Sequence, residues 1–302
     1  MKGKQMRKGM TLFAVAAAAA LVLSGCAGEE PGAPGGGGDE DTSSLWEVNE
    51  NVELEGSPTY DAAKKAGEIK IGVKEDQPGL GYKDAVSGER SGFDIDIARW
   101  MAASLGFTEK QITFEAIPSA NREQALVNGD IDLYVGTYSI TDKRKEMIDF
   151  AGPYFITGQG LLVLKDNDDI KTEDDLAGTK VCSATGSTPI QNIRDNYPDA
   201  TPVEFDVYSQ CIDALKDGSV DVVTTDQLIL LGYAAQDPDA LKVVGEPFTT
   251  ENYGIGLPKG DDALRHYLNQ VLTDGSDVWQ GIYDATLGAA GVKAEQPSVD
   301  DY

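Results

Sequence analysis

Few residues of this 302-residue chain could act as nucleophiles or as transition-metal ligands. It has three cysteines, Cys26, Cys182 and Cys211, and a single histidine, His266. A thiol nucleophile needs a base such as histidine beside it, and zinc sites of the histidine-rich kinds need more than one. His266 lies in residues 261–272, where apolar side chains recur at helical spacing, which predicts a surface or half-buried helix position. The sequence therefore speaks against an enzyme, and we expect neither a cofactor nor a metal.

The net charge excludes another class of function. Twenty-five Lys and Arg against 51 Asp and Glu give a formal net charge of −26. Nucleic-acid binding needs a dense basic patch, and no cluster of Lys and Arg after residue 8 is large enough. We expect no nucleic-acid partner, and an anionic ligand would need cations placed specifically for it.

The N-terminus predicts export from the cytoplasm. Cations within residues 1–8 precede an apolar run at residues 11–23, which is too short for a stable membrane span. The residues Leu23-Ser24-Gly25-Cys26 then resemble the lipobox of bacterial lipoproteins at every position. We interpret residues 1–25 as a lipoprotein signal peptide and Cys26 as a lipidated residue that anchors the protein to the cell membrane on its outer side. An ordinary secretory signal with a chance cysteine is the alternative.

Two further features fit an exported protein. Residues 26–44 are rich in Gly, Pro and acidic residues without hydrophobic periodicity, which predicts a flexible tether. An extracytoplasmic compartment permits disulfides, and Cys182 and Cys211 leave no odd cysteine after Cys26. We expect a Cys182–Cys211 disulfide, with two separate buried thiols as the alternative.

The hydrophobic pattern of the rest predicts an α/β fold with two similar units. In the first unit, strands at 68–74, 112–117 and 131–136 alternate with helices at 92–105 and 120–127. In the second, strands at 180–183, 203–207 and 220–224 alternate with helices at 189–195 and 208–216. Each βαβαβ order indicates a mostly parallel sheet with helices on its faces. Two α/β lobes are expected, with a small molecule bound in the cleft between them.

Four motifs resemble the bacterial extracellular solute-binding proteins for polar amino acids. They are Gly92-Phe93-Asp94-Ile95-Asp96-Ile97-Ala98, Ser139-Ile140-Thr141-Asp142-Lys143-Arg144 followed by Ile148-Asp149-Phe150, the segment 214–226, and the segment 279–287. They occur in the order of that family, over roughly residues 60–288. The resemblance implies two Rossmann-like lobes of the type 2 periplasmic-binding-protein fold, joined by a two-strand hinge, with the ligand in the interlobe cleft. Lobe 1 would comprise residues 45–157 and 250–302, and lobe 2 residues 158–249.

The same resemblance implies how a free amino acid is held. Arg144 matches the arginine that binds the α-carboxylate, and its planar fork can hold a carboxylate through two hydrogen bonds. Asp226 matches the carboxylate that binds the α-ammonium. Hydroxyl or backbone contacts are implied at Thr137, Ser139, Ser187 and Thr188. Without the resemblance, each of these residues is an ordinary surface or capping residue.

Further cations suggest an acidic side chain on the ligand. Ser119 and Arg122 lie in a segment that resembles the glutamate- and aspartate-binding members, in which they meet the distal carboxylate, and Lys74 aligns with another cationic position there. The alternatives are an exposed Arg122 paired with Glu123 or Asp130 and a Lys74 on the surface. The segment after the first strand lacks the aromatic residue that many members stack on their ligand, which disfavours Lys, Arg or His as ligand.

The sequence thus predicts a monomeric, lipid-anchored, extracytoplasmic protein that captures glutamate or aspartate and delivers it to the permease subunits of an ABC importer. The first alternative is a neutral ligand, glutamine or asparagine. A dehydratase-like enzyme on the same fold is disfavoured by the single histidine. A sensor domain would need a transmembrane helix or an output domain, for which the 302 residues show no pattern.

Overall fold

Two five-stranded sheets form the framework of the protein, of which the computed structural model describes residues 42–288 and 294–302. The first sheet runs in the order β5 (Ile112–Ala116), β1 (Ile69–Val73), β6 (Leu133–Tyr134), β13 (Glu251–Pro258) and β7 (Ile148–Thr157). The second runs in the order β10 (Thr201–Phe205), β9 (Lys180–Ala184), β11 (Val222–Asp226), β8 (Gln159–Leu164) and β12 (Leu241–Val244). A small third sheet consists of β2 (Asp76–Gln77), β3 (Gly81–Lys83) and β4 (Arg90–Ser91). All three belong to one compact unit.

Helices connect these strands. The described α-helices are α1 (Pro58–Ala66), α2 (Phe93–Ser104), α3 (Arg122–Asn128), α4 (Asp142–Lys145), α5 (Thr188–Asn196), α6 (Tyr208–Lys216), α7 (Gln227–Gln236), α8 (Asp262–Asp274) and α9 (Ser276–Thr286). Short 3-10 helices occur at Thr42–Ser44, Glu109–Gln111, Ser119–Asn121 and Glu173–Leu176. After α3 and α6, Gly129 and Gly218 take left-handed φ angles of 73° and 77°, which suits glycine at a helix C-terminus.

The sheets are less parallel than the βαβαβ pattern predicts. Strand β1 pairs in parallel with β5 and β6, but β13 is antiparallel to both β6 and β7. The second sheet likewise has β8 antiparallel to β11 and β12. The reason lies in the connections: the chain leaves the first sheet after β7, enters the second at β8, and returns from β12 to β13.

An aromatic cluster closes the core under the first sheet. Phe93, at the start of α2, meets Trp279 of α9 edge-on with ring centroids 5.8 Å apart. The indole Nε1 of Trp279 donates to the backbone oxygen of Tyr154 over 2.8 Å, so the polar atom of this fully buried ring is satisfied. Helix α9 is therefore held to β7, the strand after which the chain passes to the second sheet.

Cys182 in β9 is bonded to Cys211 in α6, and both residues are fully buried, with Cα atoms 5.6 Å apart. The predicted signal peptide (residues 1–25) and residues 26–41 of the predicted tether, with Cys26, lie outside the described residues. Thr42–Ser44, at the end of the predicted tether, form a 3-10 turn in which the Thr42 hydroxyl donates to Asp96 Oδ2 over 2.9 Å. Over the described ranges, no helix combines the length and apolarity needed to cross a membrane.

Candidate functional site

The predicted site residues lie together where strand ends of the two sheets face each other. From the first sheet, Lys74 follows β1, and Thr137 and Ser139 follow β6. From the second, Asp226 ends β11 and Thr188 begins α5. Eight of the nine predicted residues are buried: Lys74, Ser119, Arg122, Thr137, Ser139, Arg144, Ser187 and Asp226. This interface between the sheets is called the interlobe site below.

Arg144 is positioned by the short helix α4. The Thr141 hydroxyl caps this helix by accepting the backbone N–H of Arg144. The guanidinium donates from Nη1 to the oxygen of Ser139 (2.7 Å), from Nη2 to the oxygen of Gly186 (3.1 Å) and from Nε to Glu123 Oε1 (3.0 Å). Because Gly186 follows β9, Arg144 bridges the two sheets. Its remaining N–H groups have no partner among the described residues and can donate to a bound anion.

Arg122 lies beside Arg144 and is only 2% exposed. Its Nε donates to the oxygen of Ser119 (3.0 Å), and its guanidinium stacks on the ring of Tyr138, 4.2 Å from the centroid. The exposed, acid-paired Arg122 considered above is therefore wrong, since Glu123 pairs with Arg144 instead. The Nη2 of Arg122 also donates to the oxygen of Gly186 over 3.4 Å. A guanidinium held by two carbonyls and a ring face keeps its full charge, so it remains available to an anionic ligand.

Lys74 is also buried, with 3% exposure, which rules out the surface position considered above. Its Nζ donates to the Ser119 hydroxyl over 2.8 Å. Burial, with the nearby charge of Arg122, lowers the pKa of Lys74 to about 7. Within the described residues, neither Lys74 nor Arg122 forms an ion pair with a carboxylate.

Asp226 presents a carboxylate from the second sheet. Its Oδ2 accepts a hydrogen bond of 2.7 Å from Tyr253 OH, whereas its buried Oδ1 has no partner in the described part of the chain. Burial, with the nearby Glu251, raises the pKa of Asp226 to about 7. A ligand ammonium would satisfy Oδ1 and stabilise the ionised carboxylate.

The hydroxyl groups divide between the site and local structure. Ser139 Oγ lies 3.3 Å from Thr188 Oγ1, which donates to Glu251 Oε2 over 2.9 Å, so both hydroxyls lie between the sheets. The Ser187 hydroxyl instead caps α5 by accepting the N–H of Ile190. A hydroxyl that accepts this N–H can still donate its own proton, so the ligand contact of Ser187 stays a prediction.

Thr137 is held in a conformation that is rare for a β-branched residue, with φ of 47°. Its N–H donates to Asp94 Oδ2 over 3.0 Å and its hydroxyl to Gln77 Oε1 over 3.1 Å. Tyr154 OH donates to the other oxygen of Asp94 over 2.7 Å. Burial raises the pKa of Asp94 to about 6. Strained residues of this kind concentrate at functional sites, and here Thr137 joins Gln77 of β2 to Asp94 of α2.

The sequence analysis missed several residues of the interlobe site. Gln77 is fully buried, and its Nε2 has no partner among the described residues. Gln77 lies in the segment after the first strand, and the only sign in the sequence was that this segment lacks the aromatic residue found in many family members. Asp94 entered the sequence analysis only as part of the motif at residues 92–98, and the roles of Glu123 and Glu251 had no sequence signal. All four become visible only once distant segments are brought together.

Metal binding finds no support in the described ranges, where no group of three or more His, Cys, Asp and Glu side chains could hold an ion. His266 is an exposed residue of α8, with Nδ1 3.0 Å from Asp301 Oδ2, in agreement with the helix position predicted for it.

The protein has two α/β lobes, one around each five-stranded sheet, and buried charges of both signs lie between them. This arrangement defines a two-lobed small-molecule binding protein. The chain belongs to the bacterial extracellular solute-binding proteins, family 3, which it matches over residues 69–285. Proteins of this family bind free amino acids outside the cytoplasm and work with ABC importers, and the family is not one of enzymes. The protein is thus an amino-acid solute-binding protein of the type 2 fold.

The named relatives include proteins for an acidic ligand and proteins for a neutral one. The chain is 42% identical over 236 residues to the glutamate-binding protein GluB of Corynebacterium efficiens, covering 74% of this chain and 80% of that relative. It is 43% identical over 215 residues to the ABC transporter glutamine-binding protein GlnH of Bacillus subtilis, covering 71% and 78%. Among solved structures, an ancestral arginine-binding protein bound to glutamine superposes with a TM-score of 0.67 at 35% identity, over 74% of this chain and 98% of that one.

Proposed function

We propose that the protein captures an acidic amino acid, glutamate or aspartate, outside the cell and delivers it to an ABC importer. The observation that carries this proposal is the pair Lys74 and Arg122, two buried cations that have no carboxylate partner among the described residues. Uncompensated buried charge is costly, so a ligand that supplies an anion beside them would be strongly favoured.

The charges can be assigned to the groups of the ligand one at a time. The α-carboxylate would meet the guanidinium of Arg144, whose Nη1 also donates to the backbone oxygen of Ser139. The α-ammonium would meet Asp226 Oδ1. These two contacts serve any free amino acid. Lys74 and Arg122 are then in excess, and a second carboxylate on the ligand would balance them together with the hydroxyl of Ser119.

A neutral ligand, glutamine or asparagine, is the second candidate because the pKa of Lys74 lies near 7. A lysine that has lost its proton can accept a hydrogen bond from an amide. The identity of 43% to a glutamine-binding protein supports this candidate about as well as the identity of 42% to a glutamate-binding protein supports the first. We favour the acidic ligand because an amide would leave the buried Arg122 without an anion beside it.

Calorimetric titration with a panel of free amino acids tests the proposal. We expect glutamate or aspartate to bind at least about tenfold more tightly than the corresponding amide, since loss of an ion pair in a closed site costs about 2 kcal/mol or more. Tighter binding of glutamine or asparagine would establish the second candidate. Binding of neither pair would leave only an unspecified amino-acid ligand.

The anchoring and the domain boundaries belong to the same proposal. Residues 1–25 would be removed as a lipoprotein signal peptide, and Cys26 would carry the lipid. Residues 26–44 would then tether a monomer to the membrane. In this monomer, lobe 1 would comprise residues 45–157 and 250–302, and lobe 2 would comprise residues 158–249. Cys26→Ser should release the protein into the medium. Mass spectrometry of the mature N-terminus should find a lipid on Cys26, and membrane retention of Cys26→Ser in detergent-free buffer would contradict the anchor.

A further inference from the structure

A second set of contacts between the lobes lies at β2 and involves none of the residues assigned to the ligand. Asp76 Oδ2 accepts a hydrogen bond of 3.0 Å from the backbone N–H of Ser209, in the first turn of α6. Tyr233 OH, on α7, donates to the backbone oxygen of Asp76 over 2.5 Å and lies 3.2 Å from Asp76 Oδ2. Both partners belong to the second lobe, so one residue of the first lobe is held by two helices of the other.

The electrostatics favour these contacts. A carboxylate at the N-terminus of a helix is stabilised by unpaired N–H groups and by the helix dipole. Burial, together with the charge of Asp76, raises the pKa of Tyr233 well above its usual value, so its hydroxyl keeps the proton that it donates. Hydrogen bonds to an ionised acceptor are about twice as strong as neutral ones.

The backbones also approach closely at this point. A Cβ atom on Gly232 of α7 would lie 2.3 Å from the oxygen of Pro78, just after β2. No side chain fits there while the lobes are together. Gly232 does not adopt a left-handed φ, so the helix itself would accept alanine, which favours helix by about 1 kcal/mol over glycine.

We propose that Asp76, with Tyr233, Ser209 and the close approach at Gly232, forms an interlobe latch that sets how readily the lobes close, without contacting the ligand. This inference rests on the proposed function only in that closure accompanies amino-acid binding. Asp76 is a positioning residue, since its side-chain hydrogen bonds within the described residues go to Ser209 and Tyr233. The latch raises the closed fraction for every ligand equally, so it changes affinity and leaves selectivity alone.

Three variants test the latch from different sides. Asp76→Ala removes the acceptor, Tyr233→Phe removes one donor without a change of charge, and Gly232→Ala blocks the approach without removing a polar atom. Glu75→Gln is the control, because it changes the same charge one residue away, on a side chain that pairs with Arg90 in the same lobe. Dissociation constants for glutamate and glutamine are measured by calorimetry, dissociation rates by stopped-flow fluorescence, and unfolding of the ligand-free proteins by denaturant.

We expect each latch variant to weaken both ligands by about tenfold, mainly through faster dissociation, and the control to leave both constants unchanged. The ratio between the ligands should stay unchanged in Tyr233→Phe and Gly232→Ala, which alter no charge, whereas Asp76→Ala also removes a carboxylate that supports the charged form of Lys74. Gly232→Ala should do so although its ligand-free stability is equal or higher, which a merely destabilised fold would not show. A change in the ratio of glutamate to glutamine affinity in Tyr233→Phe or Gly232→Ala would place this contact at the ligand instead, and unchanged affinities would refute the latch.

Hydrogen exchange separates the failure of the latch from the failure of the proposed function. If the wild type binds no amino acid, the proposed function fails, but the contact can still be followed at the Ser209 amide without added ligand. We expect this amide to exchange faster in Asp76→Ala than in the wild type. Equal exchange in the two proteins would mean that Asp76 does not hold the lobes.

Discussion

Lys74 and Ser119 are joined by a hydrogen bond of 2.8 Å from Nζ to Oγ, which links the end of β1 to the turn before α3. Both residues are at most 3% exposed, so the ammonium has exchanged its water shell for one hydroxyl. The lowered pKa of Lys74, about 7, expresses that loss of solvation. A ligand carboxylate placed beside Ser119 would raise the pKa of Lys74 again by pairing with its ammonium. The charge of the ligand is therefore the property that experiments should vary.

Arg122→Met is expected to weaken binding of glutamate or aspartate by about thirtyfold or more and to change binding of the amides little. The reason is that only the acidic ligands need a second cation in the closed site, where the loss amounts to about 2 kcal/mol. Calorimetry with paired acid and amide ligands measures the change in selectivity. Lys74→Met should shift selectivity in the same direction by less, because an ammonium lacks the bidentate fork. Equal losses for both ligands would make Arg122 structural, through its stacking on Tyr138.

The pH dependence of binding should differ between acidic and amide ligands. Below about pH 7, Asp226 takes up a proton and no longer attracts the ligand ammonium, so every ligand should bind more weakly as the pH falls, by up to about tenfold per unit. Above about pH 7, Lys74 loses its proton, and only the acidic ligands should weaken. Glutamate should thus give a bell-shaped profile and glutamine only its acid limb, measured by calorimetry from about pH 5 to 8.5.

Two variants assign the limbs of this profile. Lys74→Met should remove the alkaline limb for glutamate. The charges of Arg122, Arg144, Asp76 and Asp94 act on the pKa of Lys74, so this variant tests whether Lys74 itself is the group that titrates. Asp226→Asn should remove the acid limb and weaken all ligands, since the ammonium loses its counter-charge while Tyr253 can still donate to the amide oxygen. An acid limb that survives in Asp226→Asn would assign it to another carboxylate, with Asp94 the nearest candidate by its raised pKa of about 6.

Arg144→Ala should abolish binding of every amino acid, because truncation of one partner of a buried charge pair costs about 2–5 kcal/mol. The matched control is Arg194→Ala, whose arginine pairs with Glu204 on the second lobe and is partly exposed. Unchanged affinity in Arg144→Ala would remove this residue from the site. Because Arg144 also bridges to Gly186 and Glu123, circular dichroism must show that the variant is folded.

The disulfide is expected to stabilise the second lobe. Non-reducing peptide mapping of exported protein should find Cys182 linked to Cys211, and two free thiols would refute the bridge. The double variant Cys182→Ser with Cys211→Ser should lose about 3 kcal/mol of unfolding free energy, the value for a closed loop of about 30 residues. Glutamate affinity should change little, because both cysteines are fully buried members of the hydrophobic core and neither is assigned to the ligand.

Local pattern was sufficient for the elements with clear periodicity. The helix expected at 208–216 is observed as Tyr208–Lys216, and the strand expected at 112–117 as Ile112–Ala116. Helix α7 was missed because its residues 227–236 are apolar almost all round and lack a helical stripe. Strands β7 and β13 were missed because they are buried on both faces and show no alternation.

The candidate site was predictable only where a motif marked it. Arg144 and Asp226 follow recognisable segments, so their types and places could be named in advance. Asp76 and Gln77 carry no such mark, because their roles depend on partners 60 to 157 positions along the chain. The burial of Lys74 and Arg122 likewise follows from the packing of the lobes, which no local pattern records.

The two connections between the lobes run side by side. Gln159 N donates to Thr249 Oγ1 over 2.9 Å, and a Cβ atom on Gly158 would lie 2.3 Å from the oxygen of Thr249. A body attached at one point can swivel, whereas two neighbouring attachments define a line about which it can only rotate. Relative motion of the lobes is thereby reduced to nearly one degree of freedom. A change of a few degrees in the backbone near Gly158 would move Asp226, Gly186 and Tyr233 together, along arcs that lengthen with distance from that line.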